Sequence, residues 1–402
     1  MKVEKRISLF FAGLLCSSGM IDMLFGASYI VLMNQCGVDA FGISIVFGIS
    51  SLALAIFDYP SGNLSDWYGR KRMSAWGFII WGIGLIAFGL SRNVALFSMS
   101  TIILSMGIAL ISGSPQAWYI DELLKLDRVD YKNKVLPILS GALSVFSAAG
   151  ALIASFTNLL NVTYAIFFGG ICAIIIGIIT MYFFEDNYGE KLSNNWAKEI
   201  VLSTKAFFND KHMNKVLAYY IISGIPLTIF LLVWQLHALN ELNMSKQMIG
   251  IALVLFMLAQ ALSGFVSGKL VKKYSNFFLT VLGEIINVCA FILLFFCKTN
   301  VITYCAILLM LEFGLGLEKS NSGAWMHDII PSEKRSTYMS AITALNSGIN
   351  FIVVMILGFL MKNVGYNNMW FIASGIQVIS LIYITKYIRK LGDCWKKKEM
   401  NV

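Results

Sequence analysis

Charge is scarce in this chain. Asp, Glu, Lys and Arg make up only 13% of its 402 residues, while 58% are hydrophobic; a soluble protein of that length would carry about twice the charge. The shortage excludes an ordinary water-soluble fold. Proline is rare as well, with 5 residues against 33 glycines. Enzyme motifs are missing: there is no phosphate-binding glycine loop, no Cys-x-x-Cys pair and no His-Glu-x-x-His. The cysteines Cys16, Cys36, Cys172, Cys289, Cys297, Cys305 and Cys394 stand singly, mostly in apolar stretches. They read as small buried hydrophobes rather than as disulfide or metal partners. No enzyme activity, cofactor or metal site is expected.

What the chain has is apolar length. Runs of about 20 residues or more recur along almost all of it, each long enough to cross a bilayer as a helix. Twelve spans are expected, at about 7–33, 41–64, 73–91, 94–120, 135–157, 162–184, 215–239, 246–270, 275–297, 301–330, 336–361 and 366–389. The expected fold class is all-α and integral to the membrane. Lys and Arg set the orientation. Of 31, twenty-six fall at the amino terminus, in the even-numbered links or in the tail; Arg92, Lys246, Lys298 and Lys362 fall on the other side, and Lys319 lies inside a span. Such a bias places both termini and the even links in the cytoplasm. The net charge of +9 then marks topology, because a face for nucleic acid would not be spread over so many short links. Lys2, Lys5 and Arg6 precede an apolar run that superficially suggests a signal peptide. That run reaches about Met33 without a convincing small-residue cleavage site, so it reads as a retained first helix. The one long polar stretch, Glu185 to Lys215, carries Trp196, Ile200, Thr204 and Phe207 or Phe208 at helical spacing. An amphipathic helix at the cytoplasmic interface is expected there, a linker in preference to a regulatory element.

The chain also repeats itself. Residues 61–72, Ser-Gly-Asn-Leu-Ser-Asp-Trp-Tyr-Gly-Arg-Lys-Arg, form a very short link between spans 2 and 3. A fainter copy follows 202 positions later, where Ser263, Gly264, Ser267, Lys272 and Lys273 stand in place of Ser61, Gly62, Ser65, Arg70 and Lys71. Ala117-Trp118-x-x-Asp121 near the end of span 4 recurs as Ala324-Trp325-x-x-Asp328 near the end of span 10, and Arg128 and Arg335 follow each Asp by seven residues. Internal repeats of this kind are typical of transporters. The expected organisation is a six-helix bundle over 1–184, a cytoplasmic linker over 185–214, a second six-helix bundle over 215–390 and a cytoplasmic tail over 391–402.

The link at 61–72 resembles the loop signature of the major facilitator superfamily of secondary transporters: a Gly, an Asp and then Gly-Arg-Lys. Gly62, Asp66, Gly69, Arg70 and Lys71 fill those places. The resemblance implies twelve transmembrane helices in two pseudo-symmetric six-helix halves. It also implies that the signature acts as a cytoplasmic latch, closed in the outward-facing state. Asp66 would lie against the start of span 11, near Ser336 and Thr337, and Arg70 would pair with Asp121 at the base of span 4. A carboxylate at a helix amino terminus gains roughly 0.3–1 kcal/mol when exposed and up to ~2 when partly buried. The alternative is that Arg70, Lys71 and Arg72 serve only as positive-inside anchors, a task that needs neither the Asp nor the glycines.

Charges inside spans are costly and face a cavity or a partner. Those here are Asp22, Asp58, Glu284, Glu312, Glu318 and Lys319. The resemblance implies that spans 1, 4, 7 and 10 line a central cavity, which favours Asp22, Glu312, Glu318 and Lys319 as proton-coupling or substrate residues. Asp22 lies 16 residues beyond Arg6, roughly 24 Å along a helix, and Glu312 lies 11 beyond Val301, roughly 16 Å. Those depths let the two acids face one another from opposite halves. An acid shielded from water can exchange a proton near neutral pH; the bland alternative for each is a structural ion pair or a hydrogen-bonded acid. Glu284 lies at a depth similar to Lys319 and is a candidate partner for it. Asp58 reads as gate or latch support. Candidate lining residues are Asn34, Gln116, Trp118, Trp234, Gln235, His237, Asn321 and Trp325, a mixture suited to an amphipathic or aromatic ligand. Trp118 and Trp325 could equally be interfacial belt aromatics, and His237 a hydrogen-bonded histidine rather than a relay.

Subfamily signals are thin. Span 5 lacks the Gly-Pro core of drug–proton antiporters, sugar-porter signatures are not evident, and the stretch Ser112 to Trp118 looks somewhat like a eukaryotic molybdate-transporter group. The leading expectation is a monomeric transporter in a prokaryotic inner membrane that exports a small cationic or amphipathic compound by proton exchange. The runner-up is uptake of an anion, an oxyanion or organic acid, held by Lys319. A sensor on a transporter scaffold is a third possibility, disfavoured because only about fifteen residues follow Tyr387.

Overall fold

The computed structural model describes residues 3–112, 114–128, 131–183, 185–188, 209–329 and 335–388. These form α1 (Val3–Gly26), α2 (Tyr29–Gln35), α3 (Ala40–Tyr68), α4 (Arg70–Leu90), α5 (Val94–Ser112), α6 (Ser114–Lys125), α7 (Lys132–Leu160), α8 (Val162–Tyr182), α9 (Lys211–Asn240), α10 (Lys246–Leu270), α11 (Asn276–Phe296), α12 (Val301–Ile329), α13 (Arg335–Val364) and α14 (Tyr366–Tyr383), continued by one wider π-type turn to Ile388. Among the described residues, twelve segments are long and apolar enough to cross a membrane, with α1–α2 and α5–α6 each making one of them. The amphipathic stretch around Trp196–Phe208 lies outside the described residues.

Short polar caps separate the apolar lengths. Asp39 accepts from the Gly42 N–H at 2.8 Å, Asn161 from Thr163 at 2.9 Å, Asp210 from His212 and Met213, and Ser275 from Phe278 at 3.2 Å. Each satisfies amide groups that a helix start leaves without a carbonyl partner. Inside the first span the helix breaks at Ala27–Ser28. The carboxamide of Asn158 on α7 meets that break: its nitrogen donates to Ala27 O at 3.2 Å, and its oxygen accepts from Ser28 Oγ at 3.1 Å. Backbone groups freed at membrane depth need such a partner, because no water is at hand to bond them.

The chain divides into two compact units, Met1–Asn194 with Ser245–Met257, and Asn195–Met244 with Leu258–Val402. In the first unit, the start of α10 lies on α7: Ser155 Oγ donates to Gln247 O at 2.9 Å.

Helix α8 shows how these sequences pack. Tyr164, Phe168, Ile171, Ile175, Ile178 and Tyr182 recur at three- and four-residue steps and are exposed, while Gly169, Gly170, Ala173 and Gly177 are buried. Large residues outside and small ones inside invert the soluble pattern, as expected where lipid is the solvent and close backbone approach is the source of attraction. The contacts are reciprocal. A Cβ on Gly82 would lie 2.5 Å from Gly170 O, and one on Gly170 would lie 2.9 Å from Gly82 O. Gly77 and Gly107 pair α4 with α5 in the same way. A Gly170→Leu substitution should therefore overpack this crossing, cost about 1–3 kcal/mol or more, and lower the unfolding temperature of the purified protein by several degrees. An unchanged melting curve would contradict the crossing.

Candidate functional site

Three polar assemblies stand out, each within a single unit. The first is built on the turn between α3 and α4. Gly69 ends α3 with φ +102°, a conformation that residues with a side chain rarely adopt. Directly beyond it, Asp186 receives the first amides of α4, from Lys71 N–H at 2.9 Å and Arg72 N–H at 3.0 Å. A Cβ at Gly69 would collide with the Asp186 carboxylate. The strap Glu185–Asn187 is tied down further. Arg70 N–H donates to Asn187 O at 3.0 Å, Asn187 Nδ2 donates to Trp118 O and Glu122 Oε1, both at 3.0 Å, and Trp118 Nε1 donates to Glu185 O at 3.2 Å. Lys71 Nζ caps α8 at Met181 O, 3.1 Å away. Arg70 forms an ion pair with Asp121 on α6 and donates to Ala117 O at 3.3 Å. The signature turn, the foot of α6 and the end of α8 are thus one hydrogen-bonded block. Asp58 on α3 joins it laterally by accepting from Ser112 Oγ at 2.6 Å. The backbone at Gly62 and Asp66 is helical, whereas the Asp66 side chain and those of Ser336 and Thr337 lie outside the described residues.

The second assembly surrounds Asp22. Ser18, Asp22 and Phe25 follow at four- and three-residue steps on one face of α1, and Tyr29 opens α2 just beyond the break. Phe25 meets Phe88 of α4 edge-on at 5.0 Å between ring centres and stacks on Tyr29 at 4.8 Å, and Tyr29 meets Phe47 of α3 at 5.4 Å. The stripe therefore faces inward, toward α3 and α4. Asp22 is nevertheless exposed. It makes no hydrogen bond or ion pair with any described residue. It is an open acid midway along a span.

The third lies in the second unit. Gly283 and Gly314 bring α11 and α12 into backbone contact: a Cβ on Gly283 would lie 2.7 Å from both Gly314 O and Glu318 N. Across that contact Glu284 and Glu318 come together. Glu284, fully buried, accepts from Ser380 Oγ of α14 at 2.9 Å. Glu318 accepts from Asn287 Nδ2 at 2.9 Å and from the Tyr219 hydroxyl of α9 at 3.4 Å. The expectation that Glu284 partners Lys319 is corrected here. Neighbouring helix positions point about 100° apart, so turning Glu318 to α11 turns Lys319 away from it. Lys319 is exposed, and no described carboxylate is within ion-pair distance of it. Glu312, buried, accepts from Gln260 Nε2 of α10 at 2.7 Å.

Several residues expected on an open wall are packed instead. Trp118 and Trp325 are buried in the cores of their own units, and Trp325 Nε1 donates to Thr280 Oγ1 at 3.1 Å. Their indole N–H groups need a partner away from water, and a neighbouring helix or strap supplies it. Asn321 is bonded to Ser267 of α10 and to Leu317 O, which pins α10 to α12. His237 is fully buried: Nδ1 accepts from Trp370 Nε1 at 2.8 Å, and the Glu241 carboxylate stands 3.3 Å from Nε2. Accepting from an indole commits Nδ1 to its unprotonated form, which suits a structural role rather than a relay. Trp234 and Gln235 are buried beside it, Asn34 is half-buried and Gln116 is exposed. Sequence reading missed Asp186, Tyr219, Asn287 and Gln377. Of these, Asp186 alone left a trace, as an acid just past the end of a span.

The family profile described as Major Facilitator Superfamily matches residues 10–233 and 216–393. An uncharacterised MFS-type transporter of Methanocaldococcus jannaschii is 22% identical over 396 residues, covering 96% of this chain and 99% of its own. Multidrug resistance protein 2 of Bacillus subtilis is 24% identical over 160 residues, 40% of this chain and 38% of its own. Among solved structures, a variant of the nucleoside transporter NupG superposes with a TM-score of 0.80 at 13% identity, over 96% of this chain and 100% of its own.

The block at Gly69 is open to test. Asp186→Ala removes a helix cap and should cost about 1 kcal/mol. Gly69→Ala, strained by both its φ and its neighbour, should cost more, and combining the two changes should cost less than their sum because they share one contact. Thermal unfolding of the purified variants measures all three, and strictly additive losses would contradict the contact.

Proposed function

The chain belongs to the major facilitator superfamily, a multi-pass membrane transporter rather than an enzyme, and from that premise we propose that it exports a small cationic or amphipathic organic solute in exchange for protons. The observation that carries this reading is Asp22, an exposed carboxylate midway along a span with no bonded partner among the described residues. Intramembrane acids are expensive and are held for ligands, protons or counter-charges. Among the described residues no cation occupies the position, so a solute cation or a proton is left to neutralise it. Phe25 stands three residues beyond Asp22 on the same face of α1, and an aromatic ring near an acid suits an organic cation. The partial likeness to a multidrug resistance protein supports an amphipathic solute. Glu312 is a second acid within a span, unlike Asp22 in being buried and held by Gln260. In this reading the Lys- and Arg-rich end, with the Gly69 block and both termini, faces the cytoplasm, and the working unit is a monomer in the lipid bilayer.

A second reading is favoured by Lys319, exposed and outside ion-pair reach of any described carboxylate: uptake of a small anion held by that ammonium group.

A pH jump across proteoliposomes separates the two. With ethidium and tetraphenylphosphonium as cationic probes, wild-type protein should show flux driven by the proton gradient, reduced about tenfold or more by Asp22→Asn. Cation flux indifferent to both the gradient and the substitution would refute export by proton exchange through Asp22. Uptake of sulfate or molybdate, lost in Lys319→Ala, would establish the anion reading instead.

A further inference from the structure

Export as read above leaves the Glu284–Glu318 pair without a task, and its surroundings are unusual. The two carboxyls lie at one helix crossing, with Glu284 fully buried. Neither is within ion-pair distance of a Lys, Arg or His among the described residues. The titratable groups that act on the pair from the neighbouring helix are Tyr219 and Tyr220 of α9; the other charged groups of α9, among them Lys211 and Lys215, make no ion pair with either acid. Lys319, next to Glu318 on α12, is exposed and turned away. The pair is bridged: Tyr219, which donates to Glu318, also bonds to the Glu284 carboxyl, as does Gln377 of α14. Glu284 has no exposed surface, whereas Glu318 is half-buried, and two such carboxylates ionised together would repel with no compensating cation among the described residues. A proton is the one cation that fits without a hydration shell or added volume.

We propose that Glu284 and Glu318, with the Tyr219 hydroxyl beside them, form one proton-binding site: the pair retains one proton between its carboxyls and takes up or releases a second, passing between a charge of −1 and 0 as the transporter cycles. The site rests on the proton-exchange reading above and supplies its coupling ion, while Asp22 receives the solute. Each step is a plain proton transfer, from hydronium or water to a carboxylate oxygen and back, with no other bond made or broken. The protons come off in steps that belong to the pair and to neither residue alone.

Infrared spectroscopy of the reconstituted protein tests this without knowledge of the substrate, by following the carbonyl stretch of protonated carboxyls as pH is raised. Wild type should keep a residual band in mildly alkaline buffer. Glu284→Gln and Glu318→Gln should each abolish that band, about a tenfold loss, because the remaining acid has no second carboxylate with which to share. Tyr219→Phe should keep the band but move its frequency, and it carries the test if a Gln variant does not fold. A band that survives in either Gln variant, or two losses that simply add, overturns the shared site, as does an unmoved band in Tyr219→Phe. If the band behaves as expected and pH-driven ethidium flux falls about tenfold in both Gln variants, the coupling role stands. If flux remains driven by pH in both, that role is overturned. If wild-type flux ignores pH altogether, proton exchange fails as a function, and the band still decides whether the pair shares its proton.

Discussion

Every polar arrangement in this protein depends on how closely its helices can approach where lipid supplies no hydrophobic drive. Lipid tails are as apolar as leucine, so attraction between spans has to come from dispersion at short range and from hydrogen bonds between helices. Glycine makes the short range available. At Gly82–Gly170 and Gly77–Gly107 the backbones of α4, α8 and α5 touch directly, and those crossings set the frame against which α3, α6 and the signature turn are placed. At Gly283–Gly314 the same device operates in the second unit, with a chemical consequence. Spacing α11 and α12 by a single side chain more would separate Glu284 from Glu318 and admit a counter-ion or water.

Removing backbones from water also obliges each freed amide or carbonyl to find a partner, and the chain meets this with single side chains at defined points. Asn158 serves the break in the first span, and the short caps serve helix starts between spans. Asp186 is the most consequential of them. By accepting from two amides of α4 it converts a positive-φ glycine from a flexible joint into a fixed corner. The Arg70–Asp121 ion pair then acts between parts that are already aligned. An ion pair between half-exposed groups contributes little alone, and its value here is as one bond of a block that also includes Trp118, Glu122 and Met181.

The spans were legible in the sequence because hydropathy over about 20 residues has no competing explanation, and the Arg70–Asp121 pairing was expected because the resemblance of residues 61–72 to the superfamily's loop signature implied it. Helix rotation was not. Depth along a helix follows from counting residues, so Glu284 and Lys319 could be placed at similar levels. The 100° between Glu318 and Lys319 is invisible until the facing glycines are known to touch. For the same reason Trp118, Trp325 and Asn321 looked like lining residues: each is polar or aromatic at the right depth, yet each turns toward a neighbouring helix or strap that holds its hydrogen-bonding group. Asp186 sits where any linker acid might sit. Its meaning comes from Gly69, 117 positions earlier in the chain, which requires a positive φ and leaves just enough room for a carboxylate.

The acids of the two units differ in a way that bears on what each can hold. Asp22 is exposed, with Phe25 three residues on along the same face of α1. Glu284 and Glu318 lie beneath a helix crossing, where admitting any hydrated metal ion or organic cation would mean separating α11 from α12 and losing the contact that created the site. A proton makes neither demand. It travels along hydrogen bonds and adds no volume, which is why the pair is proposed above to take it. In an exchanger one cation leaves as the other binds, and on the proposed reading two acids in different enclosures would be coupled through the protein rather than through contact between their ligands.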